Sequence, residues 1–181
     1  MKHIFLIIGI IGLIVSCHYE KPDYYKGESY ITMWRNVIGA DSGMQVFTPS
    51  RINNGSSSTI TLSSSNTADT AWFKVQAFGI PSNEARKVMI EQYYVEVETE
   101  QGISEPVSGV NFVPLDDASL VDYMVVPADT AIAEIPVVVT YDPESAGKKF
   151  KLYFHLLPTE DFDVTPFAQC RGCVTFTNSA F

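Results

Sequence analysis

Few residues in this chain are suited to chemistry, and they lie far apart. Cys170-Arg171-Gly172-Cys173 sets two thiols at a spacing shared by redox, haem and zinc sites. Glu160, Asp161 and Asp163 place three carboxylates close together, and His155 stands in a segment of alternating aromatic and polar residues. A third cysteine, Cys17, directly follows Ile14-Val15-Ser16 at the end of an apolar run. Each grouping has to be weighed against a plain structural role.

The paired cysteines lose their chemical readings one by one. A c-type haem site needs His after the second cysteine, where Val174 stands. Zinc needs two more ligands, and past the apolar run the histidines are His18 and His155. A thioredoxin-type motif opens a helix, whereas Val174-Thr175-Phe176-Thr177 alternates as a strand does. A structural reading remains: a disulfide between Cys170 and Cys173 across a turn at Arg171-Gly172, or two separate thiols. The disulfide is the expectation, which requires the turn because an extended chain holds the two Cα atoms too far apart.

Catalysis finds no better footing. A nucleophile and base need a third group to hold them, and alternation puts His155 on the outer side of its strand beside Lys151 and Tyr153. The carboxylates of residues 160–163 read as a solvated loop, with nothing nearby to bury one and raise its pKa. There is no phosphate-cradling glycine loop and no dinucleotide fingerprint. The expectation is a protein that is not an enzyme and carries no cofactor and no metal.

Aromatic side chains are the stronger candidates for binding. Trp34, Trp72, Tyr93, Tyr94 and Tyr153 occupy positions where alternation can turn a ring outward, and an exposed ring offers a flat face to a sugar or an anchor to a peptide. Trp72 ranks first because Phe73 and Val75 already fill the inward side of its strand. Trp34 and Tyr153 follow.

These side chains need a scaffold, and the N-terminus says where it works. Lys2 and His3 precede an unbroken apolar run from Ile4 to Val15, too short to span a bilayer comfortably as a helix, which takes about 20 apolar residues. Ile14-Val15-Ser16-Cys17 is similar to a lipobox, so residues 1–17 read as a lipoprotein signal peptide whose acylated Cys17 becomes the new N-terminus. Two or more acyl chains make a stable membrane anchor. Residues 18–27 are polar and aromatic with Pro22 and no periodicity, as befits a flexible tether. Residues 28–181 suffice for one domain with a real core. Of 12 basic residues only Lys2 leaves with the signal, so 11 basic groups face 21 acidic ones. That balance argues against a nucleic-acid partner, which demands a basic face.

Strand signals recur at short intervals between clusters of Gly, Pro, Asn, Asp and Ser. They fall at Ser29–Trp34, Ser58–Leu62, Ala71–Phe78, Lys87–Gln92 with a continuation through Tyr94–Val97, Tyr123–Val126, Ala131–Thr140, Lys149–Leu157 and Val174–Thr177. Helical periodicity is absent, apart from a single turn expected at Ser82–Ala85. Seven or eight short strands predict an all-β sandwich, with an up-and-down barrel as the alternative. Phe73, Val75, Val88, Ile135, Val137, Val139, Leu152 and Phe154 are its expected core.

The succession of Phe78-Gly79, Arg86-Lys87-Val88, Gly109-Val110-Asn111-Phe112, Tyr123-Met124-Val125-Val126-Pro127-Ala128, Ile132-Ala133-Glu134-Ile135-Pro136-Val137 and Phe150-Lys151-Leu152 before Glu160-Asp161-Phe162 resembles a known pattern. It is similar to single-domain Bacteroidota lipoproteins of unknown function with an immunoglobulin-like or Calx-β-like β-sandwich. Those proteins are usually encoded beside starch-utilisation-type importers. The resemblance covers about half of the mature chain. It implies a surface-exposed outer-membrane lipoprotein that takes an oligosaccharide or peptide as accessory to a TonB-dependent transporter and its SusD-like lipoprotein. A structural or adhesive surface module is the second expectation, and a hydrolase the third. Calcium-binding Calx-β domains cluster carboxylates at one end of the sandwich, but Asp116, Asp117, Asp122, Glu160, Asp161 and Asp163 lack the tight spacing of a dedicated site.

Overall fold

The computed structural model describes residues 29–34, 56–95, 102–164 and 170–180. Residues 1–17, expected to be a signal peptide ending in Cys17, and the expected tether at residues 18–27 lie outside them. In chain order the strands are β1 (Tyr30–Met33), β2 (Ser56–Leu62), β3 (Ala68–Phe78), β4 (Arg86–Lys87), β5 (Met89–Tyr93), β6 (Val125–Val126), β7 (Ile132–Thr140), β8 (Lys149–Leu157), β9 (Asp163–Val164) and β10 (Arg171–Asn178). They form one sheet ordered β7-β3-β1-β9, a second ordered β2-β10-β8-β5, and a small ladder of β4 with β6. This is the β-sandwich that the strand spacing predicts, with two separate sheets in place of a closed barrel. Three elements are only two residues long, so seven strands of four or more residues carry the sandwich.

Alternation decides which side chains meet between the sheets. In β3, Ala71, Phe73, Val75 and Ala77 are buried while Trp72, Lys74 and Phe78 are exposed, because successive side chains leave a strand on opposite faces. Phe150, Leu152, Phe154 and Leu156 of β8 turn inward in the same way. All eight expected core residues are buried, and they join one cluster with Ile31, Met33, Leu62, Val174 and Phe176. Phe73 and Phe154 meet edge to face across the sheets at 4.9 Å.

The chain departs from the sequence reading where one segment serves two sheets. Lys87–Gln92 is interrupted at Val88, whose N–H donates to Met124 O at 2.9 Å. Before that point β4 pairs with β6, and after it β5 pairs with β8. The expected strand at Tyr123–Val126 shrinks to its last two residues, since the N–H groups of Tyr123 and Met124 both donate back to Leu120 O. Ser82–Ala85 bends without forming a helical turn. Short 3-10 turns form instead at Ala118–Leu120 and Pro143–Ser145, each capped by the aspartate just before it, Asp117 and Asp142. Such caps satisfy backbone donors that the turn leaves open.

β10 enters the second sheet between β2 and β8, parallel to the first and antiparallel to the second. Gly172 makes that insertion fit. It lies opposite Phe154, and a Cβ built on it would stand 2.2 Å from Cζ of that ring. The ring therefore occupies the volume that any other side chain at 172 would claim. Close packing leaves it little room to retreat, since Phe73 also packs edge to face against it at 4.9 Å. We expect Gly172→Ala to cost about 1–3 kcal/mol in urea denaturation, the usual penalty of overpacking. Combining it with Phe154→Leu should cost less than the two single effects added, and additivity would show that the ring and the glycine are not coupled.

Candidate functional site

The outer face of the first sheet assembles residues scattered through the sequence. Cross-strand register sets Lys74 opposite Glu134 and Trp72 opposite Pro136 on β7, while Tyr30 of β1 faces Phe78. The β1 ladder extends one residue further, with Trp34 N–H donating to Lys74 O at 2.7 Å. Trp34 and Trp72 are thereby diagonal neighbours on one face, about 7–8 Å apart by sheet geometry.

Polar groups lie between these rings. Lys74 Nζ sits 5.9 Å from the centre of the Trp34 ring and 3.8 Å from Glu134 Oε1. The ion pair is exposed at both ends, so it contributes little to stability and leaves donors and acceptors at the surface. Tyr123 completes the row, its ring packing edge-on against Trp72 at 5.8 Å and 70°. Leu120 and Met124, both buried, anchor the turn that presents it. Trp72 is 50% exposed and Tyr123 54%, so the pair forms a ridge without being absorbed into the core. The result is an exposed aromatic platform, ridged at Trp72 and Tyr123 and rimmed by an amine, a carboxylate and the half-buried Thr32 and Gln76.

Tyr153 does not belong to it. It lies on the other sheet and is only 5% exposed, which corrects its assignment as a ligand-facing ring. Alternation turns it away from the central core as expected, but Tyr93 pairs with it from β5 at 5.5 Å between ring centres and Lys151 Nζ lies 5.3 Å from its ring centre. A side chain can leave the core face of a strand and still be covered. Tyr94, by contrast, is exposed.

The cysteine expectation is also corrected. Arg171, Gly172 and Cys173 all belong to β10, so there is no turn to close, and neither Cys170 nor Cys173 is in a disulfide. An extended run separates Cα atoms three residues apart by about 10 Å, beyond the ~7 Å limit for bridging. Burial pushes the Cys170 thiol up, with nearby Arg171 opposing it. A reactive cysteine needs the opposite shift.

His155 is half-buried, with Nε2 at 3.9 Å from Glu91 Oε2 and its ring 5.6 Å from that of Tyr93. Burial lowers its pKa and Glu91 partly restores it. Several loop carboxylates are engaged by backbone: Asp161 Oδ2 accepts from Lys87 N–H at 2.8 Å, and Asp117 Oδ1 accepts from both the N–H and Oγ of Ser119. Those two bonds hold the Asp117 carboxyl below its usual value. Among the described residues, no group of three or more His, Cys, Asp or Glu is placed to hold a metal ion.

Concave sites lie elsewhere. One of about 310 Å³ runs along β5 from Met89 to Gln92, facing Ser108, Phe112, Leu115 and Asp116. Another, of about 100 Å³, is walled by Ala77–Pro81, Arg86 and Asp129–Ala131. The sequence carries no signal for Tyr123 or Arg86 as site residues, because both are brought into place by contacts with distant segments.

No family model and no curated protein matches this chain. Some solved structures are similar to it in part. A two-domain protein of unknown function from Bacteroides fragilis is 13% identical with a TM-score of 0.48, covering 84% of this chain and 46% of its own. A protein of unknown function from Bacteroides ovatus is 12% identical with a TM-score of 0.48, over 82% and 44%. A "putative carbohydrate binding protein" from the same species is 10% identical with a TM-score of 0.44, over 69% and 36%. The chain thus spans less than half the length of each.

Two outcomes test this description. Trp72→Ala should lower unfolding free energy by about 1 kcal/mol, well short of the ~3–5 kcal/mol lost at a core tryptophan; a core-sized loss in chemical denaturation would place the ring inside. Because burial holds His155 below the ordinary 6.5, the unfolded chain takes up its proton first as pH falls through that value. Protons then favour unfolding, so this contribution to stability drops below pH 6.5. Urea midpoints on either side of that pH should show the fall, and His155→Gln should flatten it.

Proposed function

We propose that this protein is a non-catalytic glycan-capture lipoprotein of the outer-membrane surface. The observation that carries the reading is the exposed row of Trp34, Lys74, Trp72 and Tyr123 on one sheet face. Aromatic planes receive the C–H faces of sugar rings, while Lys74, Glu134 and Gln76 supply donors and acceptors for hydroxyl groups. Such a surface binds weakly one site at a time. Acylated Cys17 would hold it at the membrane, where tethering raises effective concentration and makes modest affinity sufficient. In this reading it serves a starch-utilisation-type importer, beside a TonB-dependent transporter and its SusD-like lipoprotein. No step of catalysis is assigned to it.

A second reading is favoured by the edge of the other sheet. Among the described strands β5 is last in its sheet, and the 310 Å³ hollow runs along it. An extended peptide could add there as a further strand, which suits an adhesive or structural module.

The Cys17→Ser chain, which cannot be acylated, should lose lipid labelling and leave the membrane fraction. Titrated with neutral oligosaccharides, it should bind, and adding Trp72→Ala should weaken capture about tenfold or more, as at an aromatic hot spot, without a matching fall in melting temperature. The acylated protein should co-purify with a transporter pair from detergent-solubilised envelope. Peptide binding unaffected by Trp72→Ala would favour the β5 edge, and hydrolysis abolished by changing Glu160 or Asp161 would make the protein an enzyme.

A further inference from the structure

Arg86 is a buried cation that the described structure does not neutralise. It is 6% exposed, held by β4 against β6, with its guanidinium 4.8 Å from the centre of the Phe162 ring. Its one hydrogen bond among the described residues runs from Nη2 to Thr130 O at 2.9 Å. Nε is sealed without a partner, and no described carboxylate lies within ion-pair distance. A guanidinium in such surroundings loses hydration without recovering it from an anion, a costly state for a charged group.

The cavity beside it is where an anion can come. Its volume of about 100 Å³ admits several waters, or a carboxylate with the ring carbon that bears it. Two loops make its walls. Gly79 turns the first at φ +115°, where a Cβ would stand 2.9 Å from Ser29 Oγ. Asp129 turns the second at φ 57°, a left-handed conformation that Asp and Asn tolerate better than most residues. Phe78 and Ile80, both exposed, line the mouth, and Phe78 also stands on the platform face opposite Tyr30. Platform and cavity are therefore continuous through one ring.

We propose that this cavity receives the carboxylate of a uronic-acid unit in a saccharide lying on the platform, with Arg86 as the residue that selects it. The inference rests on the platform being a glycan site. Charge sets the class of anion. Asp129 shares the wall, and 11 basic groups face 21 acidic ones past the signal, so dianions and polyanions are repelled whereas a single carboxylate can be paired by the guanidinium.

The probe is an oligogalacturonate methyl ester that keeps one free carboxylate, set against the fully esterified form, which has the same rings and no charge. The unacylated full chain should bind the acid form about tenfold tighter than the ester, as a charge-assisted hydrogen bond implies, and the preference should shrink as salt is raised. Arg86→Met should abolish the preference while leaving ester binding in place. If that variant unfolds, Asp129→Asn carries the test: it keeps the left-handed turn, removes the competing charge, and should tighten acid binding about two- to fivefold without changing the ester. Equal binding of both forms by the wild type overturns the inference and leaves the platform reading standing. So does a preference that survives Arg86→Met, or one shown equally by free galacturonate, which cannot span platform and cavity. Binding of neither form overturns both.

Discussion

The sandwich turns on one ring. Phe154 reaches from β8 under the bare backbone of Gly172 in β10 and meets Phe73 of the opposite sheet edge to face. That contact fixes the register of the strand inserted between β2 and β8, and it locks the second sheet to the first at the strand that carries the platform. A period of two then does the rest. With Phe73 pinned inward, Trp72 and Lys74 have no choice but to face out.

This constraint gives the two outer faces their different characters. On the first sheet, the neighbours of Trp72 across the ladder are Pro136 and, diagonally, Trp34, with Lys74 and Glu134 beside them, and the rings stay accessible. On the second sheet the outer residues crowd together. Tyr93, Tyr153, His155 and Arg171 lie in adjacent register positions, and burial raises the Tyr93 pKa while Arg171 opposes it through charge and a hydrogen bond. Both faces hold aromatic and charged residues, yet among these described residues the rings of the first are the more exposed.

Acidic loop residues find their uses in architecture. Asp117 and Asp142 cap short turns, and Asp161 ties its loop to β4. The turn that Asp117 starts ends by presenting Tyr123, so a carboxylate that invites a metal reading in sequence serves instead to place an aromatic ring. Buried polar groups act similarly at the sandwich end, where Asn178 donates to Ser145 Oγ at 2.7 Å and to Asp142 O at 3.2 Å, joining the last strand to the loop before β8.

The sequence by itself determined the all-β class, most strand positions, all eight named core residues and the outward turn of Trp72, because these follow from a local period of two and from turn chemistry. It failed wherever a residue's fate depended on a distant partner. Alternation cannot show that Tyr93 covers Tyr153, that Arg171-Gly172 is strand and not turn, or that Val88 passes the chain from one sheet to another. Gly172 illustrates the difference: its type reads locally as a bend, and only the ring beneath it explains it as a packing necessity. Arg86 and Tyr123 gain meaning only from residues more than forty positions away, Thr130 and Trp72. Long-range register is set by how whole faces fit together, and no local pattern encodes it.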